Sequence, residues 1–134
     1  MKWGRMSRYV IDAWAWIEYF NGSDFGRKVS HYLENEHNEL FTLSVTLAEV
    51  TSFFVRKQKD PNDAFAAITT LSKVESVDAD LAKFTGELHA SLKKSMGDFG
   101  LADAFILAFA KKNNVKIISG DPHLKKQKET ISIE

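Results

Sequence analysis

Apolar positions along the chain fall into two patterns, short unbroken runs and longer stripes at helical spacing. Tyr9-Val10-Ile11 is a run of the first kind and predicts a short buried strand ending at Asp12. Ala13 to Phe20 follows with Glu18 as its one polar residue, and Asn21-Gly22-Ser23-Asp24 is a turn cluster. Phe25, Val29, Tyr32 and Leu33 predict a helix from about Asp24 to Asn35, and Leu40 to Leu43 a second strand. Val45 to Lys59 predicts a helix whose broad apolar face carries Val45, Ala48, Val50, Phe53 and Phe54. Asp60-Pro61 starts another, running through Phe65, Ile68 and Leu71, because proline suits the first helical position. Val74 to Val77 predicts a short third strand. Asp78 to Ser95 predicts an amphipathic helix with Leu81, Phe84, Leu88 and Leu92 on one face. Met96 to Gly100 reads as a loop, followed by a helix containing Asp103, a strand from Val115 to Ile118, and an edge strand at Ile131-Ser132-Ile133.

Short apolar strands alternating with helices predict a three-layer α/β/α domain on a mainly parallel sheet of roughly four to five strands. The 134 residues suit a single domain spanning 1–134, and two prolines with seven glycines leave no room for a linker. Met6 stands just before the first strand, so residues 1–5 are expected to be an extension outside the fold, with Met1 and Met6 both open as the native start. A hydrophobic content of 44% against 27% charged residues is that of a globular domain rather than a disordered chain. No apolar stretch approaches a membrane span, and the N-terminus lacks the apolar core of a signal peptide, so a cytoplasmic address is expected. The absence of cysteine excludes disulfides and thiolate metal sites.

The acids change the picture most. Asp103 is the only polar side chain between Gly100 and Ala110, and burying a carboxylate in an apolar helix face is costly without a partner. Ligands of open α/β sheets bind outside the carboxyl ends of the strands. Asp12 and Asp121 both follow strands there, Glu49 lies one turn into the helix after the second strand, and Asp103 lies in the first turn of its helix. Convergence of these four would create repulsion that a divalent cation relieves. Oxygen ligands without cysteine or a histidine cluster suit magnesium or manganese rather than zinc. Such an ion can activate water and neutralise a phosphate under attack, which points to phosphodiester hydrolysis. Each acid also has a structural explanation. Asp12 and Asp121 can cap the helices after them, Asp121 with Pro122 in the first turn, and Thr46-Leu47-Ala48-Glu49 fits a capping box. Taken singly, those three are better explained structurally. Asp103 is not, because its neighbours offer no cation.

In order and spacing, Tyr9-Val10-Ile11-Asp12, Val45-Thr46-Leu47-Ala48-Glu49-Val50, Gly100-Leu101-Ala102-Asp103 with the apolar run to Ala110, and Ile117-Ile118-Ser119-Gly120-Asp121 match a known pattern. The chain resembles the PIN-domain endoribonucleases, and among them the VapC-type toxins of prokaryotic toxin–antitoxin pairs. The resemblance covers nearly everything from residue 7 onward. It implies that Asp12, Glu49, Asp103 and Asp121 are catalytic and hold one or two Mg2+ or Mn2+ ions. It makes Ser119 the supporting hydroxyl, where the family commonly has threonine. Asp98 is a further acid near the site that could support the ligands from behind, although a solvated loop residue is the commoner explanation. His123 stands where the family often has an aromatic or apolar residue and is expected at the rim, outside catalysis.

The resemblance also implies an RNA substrate, a small cognate antitoxin, a homodimer, and no membrane. Trp14, Trp16, Ile17, Tyr19 and Phe20, crowded into one segment, could form an interface or lie wholly inside, with equal weight. Eighteen basic and eighteen acidic residues exclude a bulk nucleic-acid binder, but Lys111, Lys112, Lys116, Lys125, Lys126 and Lys128 enrich the C-terminal part in positive charge. Two other functions compete. One is a PIN-like module that binds RNA or protein without cutting, which retention of all four acids disfavours. The other is a phosphatase with an aspartyl nucleophile. Such enzymes commonly place a second acid two residues on, where this chain has Trp14.

Overall fold

Alternation of inward-facing side chains builds one twisted sheet covered on both faces, in a computed structural model that describes residues 7–133. The strands are β1 (Ser7–Ile11), β2 (Asn38–Leu43), β3 (Lys73–Glu75), β4 (Lys116–Ser119) and β5 (Thr130–Ser132). The helices are α1 (Ala13–Asn21), α2 (Asp24–Leu33), α3 (Ser44–Arg56), α4 (Pro61–Leu71), α5 (Ala79–Lys93), α6 (Leu101–Asn113) and the short α7 (Pro122–Lys125). Strand order is β3-β2-β1-β4-β5, and every pairing among the described residues is parallel. The sheet is therefore fully rather than mainly parallel, as expected when each strand is followed by a helix that returns over a face. The extension expected at residues 1–5 lies outside the described residues.

Neighbouring strand residues point to opposite faces. Val10 and Ile117 join the core under α5 and α6, whereas Ile11 and Ile118 join the core under α1 to α4. Both pairs are fully buried, which is why these strands read as continuous apolar runs instead of alternating ones. In α6, buried residues from Ala104 to Ala110 occupy nearly the whole circumference. That burial fits a helix lying against the central strands β1 and β4 on one side and α5 on the other.

Most boundaries fall within two residues of the sequence expectation. The helix expected to reach Lys59 ends at Arg56, because Gln58 takes a left-handed conformation with φ 58°. The third strand is Lys73–Glu75, one residue earlier than expected, in register with Phe41 to Leu43. The helix α7 was anticipated only as a cap and first-turn proline. The aromatic segment turns out to pack mainly within the chain. Trp16 is fully buried, stacks on Phe20 at 5.8 Å, and donates its indole N–H to the Thr42 hydroxyl at 3.1 Å. Trp14, on the other side of α1, meets Phe25 edge-on at 5.6 Å. Gly26 lets α2 approach α1 closely, since a Cβ there would lie 2.0 Å from the Glu18 carbonyl oxygen. No helix among the described residues is long and apolar enough to cross a membrane.

Candidate metal centre

The sheet order reverses between β1 and β4. From β1 the chain builds outward through β2 and β3, then returns to place β4 and β5 on the other side. The helices after β1 and β4 diverge at such a point and leave a crevice at the carboxyl ends of the strands. Ile11 pairs with Ile118, so Asp12 and Ser119 emerge side by side at its floor.

Asp12 is 3% exposed. One carboxylate oxygen accepts from the Ala15 N–H at 2.8 Å, capping α1, and the other accepts from the Ser119 hydroxyl at 2.5 Å. Ser119 Oγ in turn accepts from the Asp121 N–H at 2.9 Å. One serine thus ties the acid after β1 to the backbone of the acid after β4. Gly120 between them is required by space, since a Cβ there would meet the Trp14 ring at 2.4 Å. Asp121 Oδ1 accepts from the His123 N–H at 2.9 Å and holds the first turn of α7. The capping roles expected for Asp12 and Asp121 are therefore real, and they orient the two carboxylates towards the crevice floor.

Asp103 enters from the first turn of α6, half-buried. Glu49 stands on α3 at the exposed rim. The expected capping box at Thr46 and Glu49 does not form. The cap of α3 is Leu43, with no side-chain bond, and Thr46 lies inside the helix with its buried hydroxyl unpartnered. Glu49 is thus not held by the backbone amide that would have explained it structurally.

The acids are electrostatically coupled. Burial, more than any other cause, pushes the Asp12 carboxyl up to about 7, against the lowering effect of Ser119 and Ala15, and the charges of Asp103 and Asp121 add to the rise. Burial followed by the charge of Asp121 raises Asp103 to about 6; His123 opposes the rise and Glu49 adds to it. Glu49 is raised by the protein mass around its carboxyl and then by Asp121, despite its exposed position. A site whose acids resist ionising together is short of positive charge, and its oxygen donors suit a hard divalent cation.

This coupling has a consequence for stability. Carboxyls that hold protons more tightly when folded make the native state the greater proton binder between their unfolded value of 3.8 and about 6 to 7. Metal-free stability must then fall as pH rises through that window. His123, also raised, acts in the same direction by losing its favourable charge as pH rises further. The metal-free protein is expected to melt roughly 5 °C or more lower at about pH 8 than at about pH 5, and Mn2+ or Mg2+ to remove most of that difference. Thermal melts by circular dichroism across pH, with and without metal, check this. A melting temperature that rises with pH would show that the acids are already compensated.

One residue, His123, differs from the sequence expectation. His123, expected at the rim and set aside, has its Nδ1 3.7 Å from both Asp103 Oδ2 and Asp121 Oδ1. Asp103, Asp121 and His123 each offer a ligand atom within 4.8 Å of the others. Asp98 is brought to His123, at 3.0 Å, rather than to the other acids. The Asp-Pro-His order carried a signal for this, since a residue in the first turn of a helix capped by Asp121 must lie beside that cap. The lysines divide among three regions, with Lys112 by itself in a cleft beside Glu75 and Asp78. Lys125 and Lys126 belong to the α7 end of the crevice. Lys111, Lys116 and Lys128 line a cleft of about 490 Å³ at the amino end of β4, and Lys111 pairs there with Glu129 at 3.0 Å. The expected basic rim is thus only partly beside the acids; Lys116 starts the strand that Ser119 ends, roughly 10 Å away along the strand.

The model of the PIN domain family matches residues 9–129. No curated protein matches the chain in sequence. Solved structures match nearly end to end. DNA-bound VapBC from Salmonella typhimurium is 20% identical, with a TM-score of 0.70 over 96% of this chain and 98% of that one. VapBC2 from Rickettsia felis, bound to a DNA fragment of its promoter, is 18% identical, with a TM-score of 0.68 over 93% and 96%. VapC20 from Mycobacterium tuberculosis, a toxin that cleaves the sarcin–ricin loop, is 19% identical, with a TM-score of 0.68 over 90% and 97%. At these identities the likeness establishes the shared fold.

Proposed function

The chain belongs to the PIN-domain family, and on that premise we propose that it is a metal-dependent endoribonuclease that hydrolyses RNA phosphodiester bonds as the toxin of a toxin–antitoxin pair. The observation that carries this proposal is the grouping of acids at the β1/β4 crevice: Ser119 bonds both Asp12 and the Asp121 backbone, His123 Nδ1 lies 3.7 Å from both Asp121 and Asp103, and the charge of Asp121 reaches Glu49. Asp12 and Asp121 also cap helices, but Asp103 and Glu49 have no such role, and the β1/β4 crevice is where this topology binds ligands.

Asp12, Asp103 and Asp121, with Glu49 from the rim, are the residues that would hold Mg2+ or Mn2+. A divalent cation there supplies activation of water and charge neutralisation on the phosphate. Ser119 keeps the Asp12 carboxylate and the Asp121 backbone in register by its two hydrogen bonds. Lys125 and Lys126 place positive charge at the end of the crevice, where an RNA backbone would approach the acids.

The partners expected with this function are a small antitoxin and a second copy of the chain. Val55 on α3 and Phe65 on α4 are more than half exposed on two helices that pack together, and they supply apolar surface of the kind such partners cover. The VapBC neighbours support the antitoxin, since each pairs a toxin of this fold with a second protein.

Incubation of the purified chain with labelled transfer and ribosomal RNA tests the activity, in manganese, in magnesium and in chelator. Cleavage is expected only with metal. Cleavage that survives chelation would contradict a metal-dependent site, and RNA binding without turnover in every condition would make the chain a binding module.

A further inference from the structure

His123 differs from the aromatic or apolar residue that the resemblance leads one to expect at its position, and its surroundings explain what the change does. Its ring makes two distinct sets of contacts. Nε2 lies 3.0 Å from Asp98 Oδ2. A carboxylate there can only accept, so Nε2 carries the hydrogen in the neutral ring and the Nδ1 lone pair is left facing the crevice. Nδ1 is equidistant, at 3.7 Å, from Asp103 Oδ2 and Asp121 Oδ1. Neighbouring ligand atoms about 2.1 Å from one ion stand about 3 Å apart, so these three atoms would share a single cation after closing on it by a fraction of an ångström or more. A carboxylate behind, imidazole between and metal in front is the usual support of a ligating histidine.

The parts are held for this arrangement. The His123 N–H is fixed on Asp121 Oδ1 at 2.9 Å, and its ring rests 6.0 Å from that of Phe99. Phe99 is fully buried, and its carbonyl is engaged by the His89 ring at 2.9 Å. The Lys93 ammonium donates to the Gly97 carbonyl at 2.8 Å. The loop between α5 and α6 is therefore anchored on both sides of Asp98, and Asp98 is delivered to His123 by the fold.

We infer that His123 is a nitrogen ligand of the metal centre, supported by Asp98, and that it biases the site towards manganese-class transition-metal ions over magnesium. The inference rests on the metal-dependent reading of the crevice. Its chemical ground is ligand type: oxygen donors alone treat both ions as hard cations, whereas an imidazole adds affinity along the first transition row and little for magnesium.

The test is metal binding rather than turnover. Metal-free full-length protein is titrated with Mn2+ by electron paramagnetic resonance, alone and in competition with Mg2+, and bound Mn2+ is probed by pulsed measurement for nitrogen coupling. The variants are His123→Phe, Asp98→Asn and Asp103→Asn. Wild type is expected to show histidine nitrogen on bound Mn2+. His123→Phe is expected to abolish that signal and to lower the Mn2+ over Mg2+ preference about tenfold or more, with Mg2+ affinity nearly unchanged. Asp98→Asn is expected to keep the nitrogen signal with a smaller loss of Mn2+ affinity. Absence of nitrogen coupling in wild type, or an unchanged metal preference in His123→Phe, overturns the inference. Asp103→Asn separates the two levels. If it loses both ions while the nitrogen signal is missing from wild type, the acid site stands and His123 is no ligand. If it retains both ions, the acid-site reading itself fails.

Discussion

Asp103→Asn is expected to reduce metal-dependent RNA cleavage by roughly a hundredfold or more. The substitution is nearly isosteric, so it removes charge and changes little else. Asp103 shares the crevice with Asp121 and Glu49; burial first, and then their charges, already raise its carboxyl to about 6. A neutral amide there removes one of the charges proposed to hold the cation. It also removes repulsion from the metal-free site, so the variant is expected to melt at a higher temperature than wild type without metal near pH 8. Activity lost while metal-free stability is gained is the mark of a functional acid kept at a cost to the fold. A variant that loses activity because it misfolds would show the reverse. Single-turnover cleavage beside calorimetry of both metal-free proteins checks the prediction. Cleavage at the wild-type rate would move the reaction away from this site.

Gly26→Ala is expected to destabilise the domain by roughly 3 kcal/mol or more. The new Cβ would lie 2.0 Å from the carbonyl oxygen of Glu18 and 2.7 Å from its carbonyl carbon, and both atoms are backbone of α1. A flexible side chain could move aside, but a helix backbone cannot do so without shifting its whole contact. That contact is part of the packing of α2 on α1, the helix that carries the buried Trp16 and that Asp12 caps. A loss of that size corresponds to a fall in melting temperature of roughly 10 °C for a domain of this length. Weaker binding of Mn2+ is expected to accompany it, since Asp12 sits at the end of the displaced helix. Gly86→Ala serves as the control. It is also helical but meets nothing within 4 Å, so it is expected to be neutral or slightly stabilising. Equal melting temperatures for the two variants would show that α2 can back away freely.

Legibility in the sequence followed a physical division. Strands buried on both faces are continuous apolar runs, and Tyr9-Val10-Ile11, Leu40 to Leu43 and Val115 to Ile118 were readable for that reason. Asp60-Pro61 marked a helix start with local chemistry alone. The helix of Pro122–Lys125 was not predicted because it is too short to show a period. The end of α3 was misplaced because the left-handed turn at Gln58 has no glycine to announce it. The capping box at Thr46 and Glu49 failed because β2 runs directly into the helix, so the helix begins two residues before Thr46.

Local pattern thus determined the elements, the α/β class, and the placing of Asp12, Glu49, Asp103 and Asp121 at element ends. Those properties depend on residues within a few positions of one another, through strand alternation, helix period and capping. Only the tertiary structure decided that the sheet is parallel throughout and reverses its order between β1 and β4, that Ser119 joins Asp12 to Asp121, and that Asp98 stands behind His123. Each of these depends on groups distant in sequence, 107 residues for Ser119 and Asp12 and 25 for His123 and Asp98. No periodicity encodes such pairs; they arise when packing of α5 and α6 against the sheet brings the two loops to one crevice.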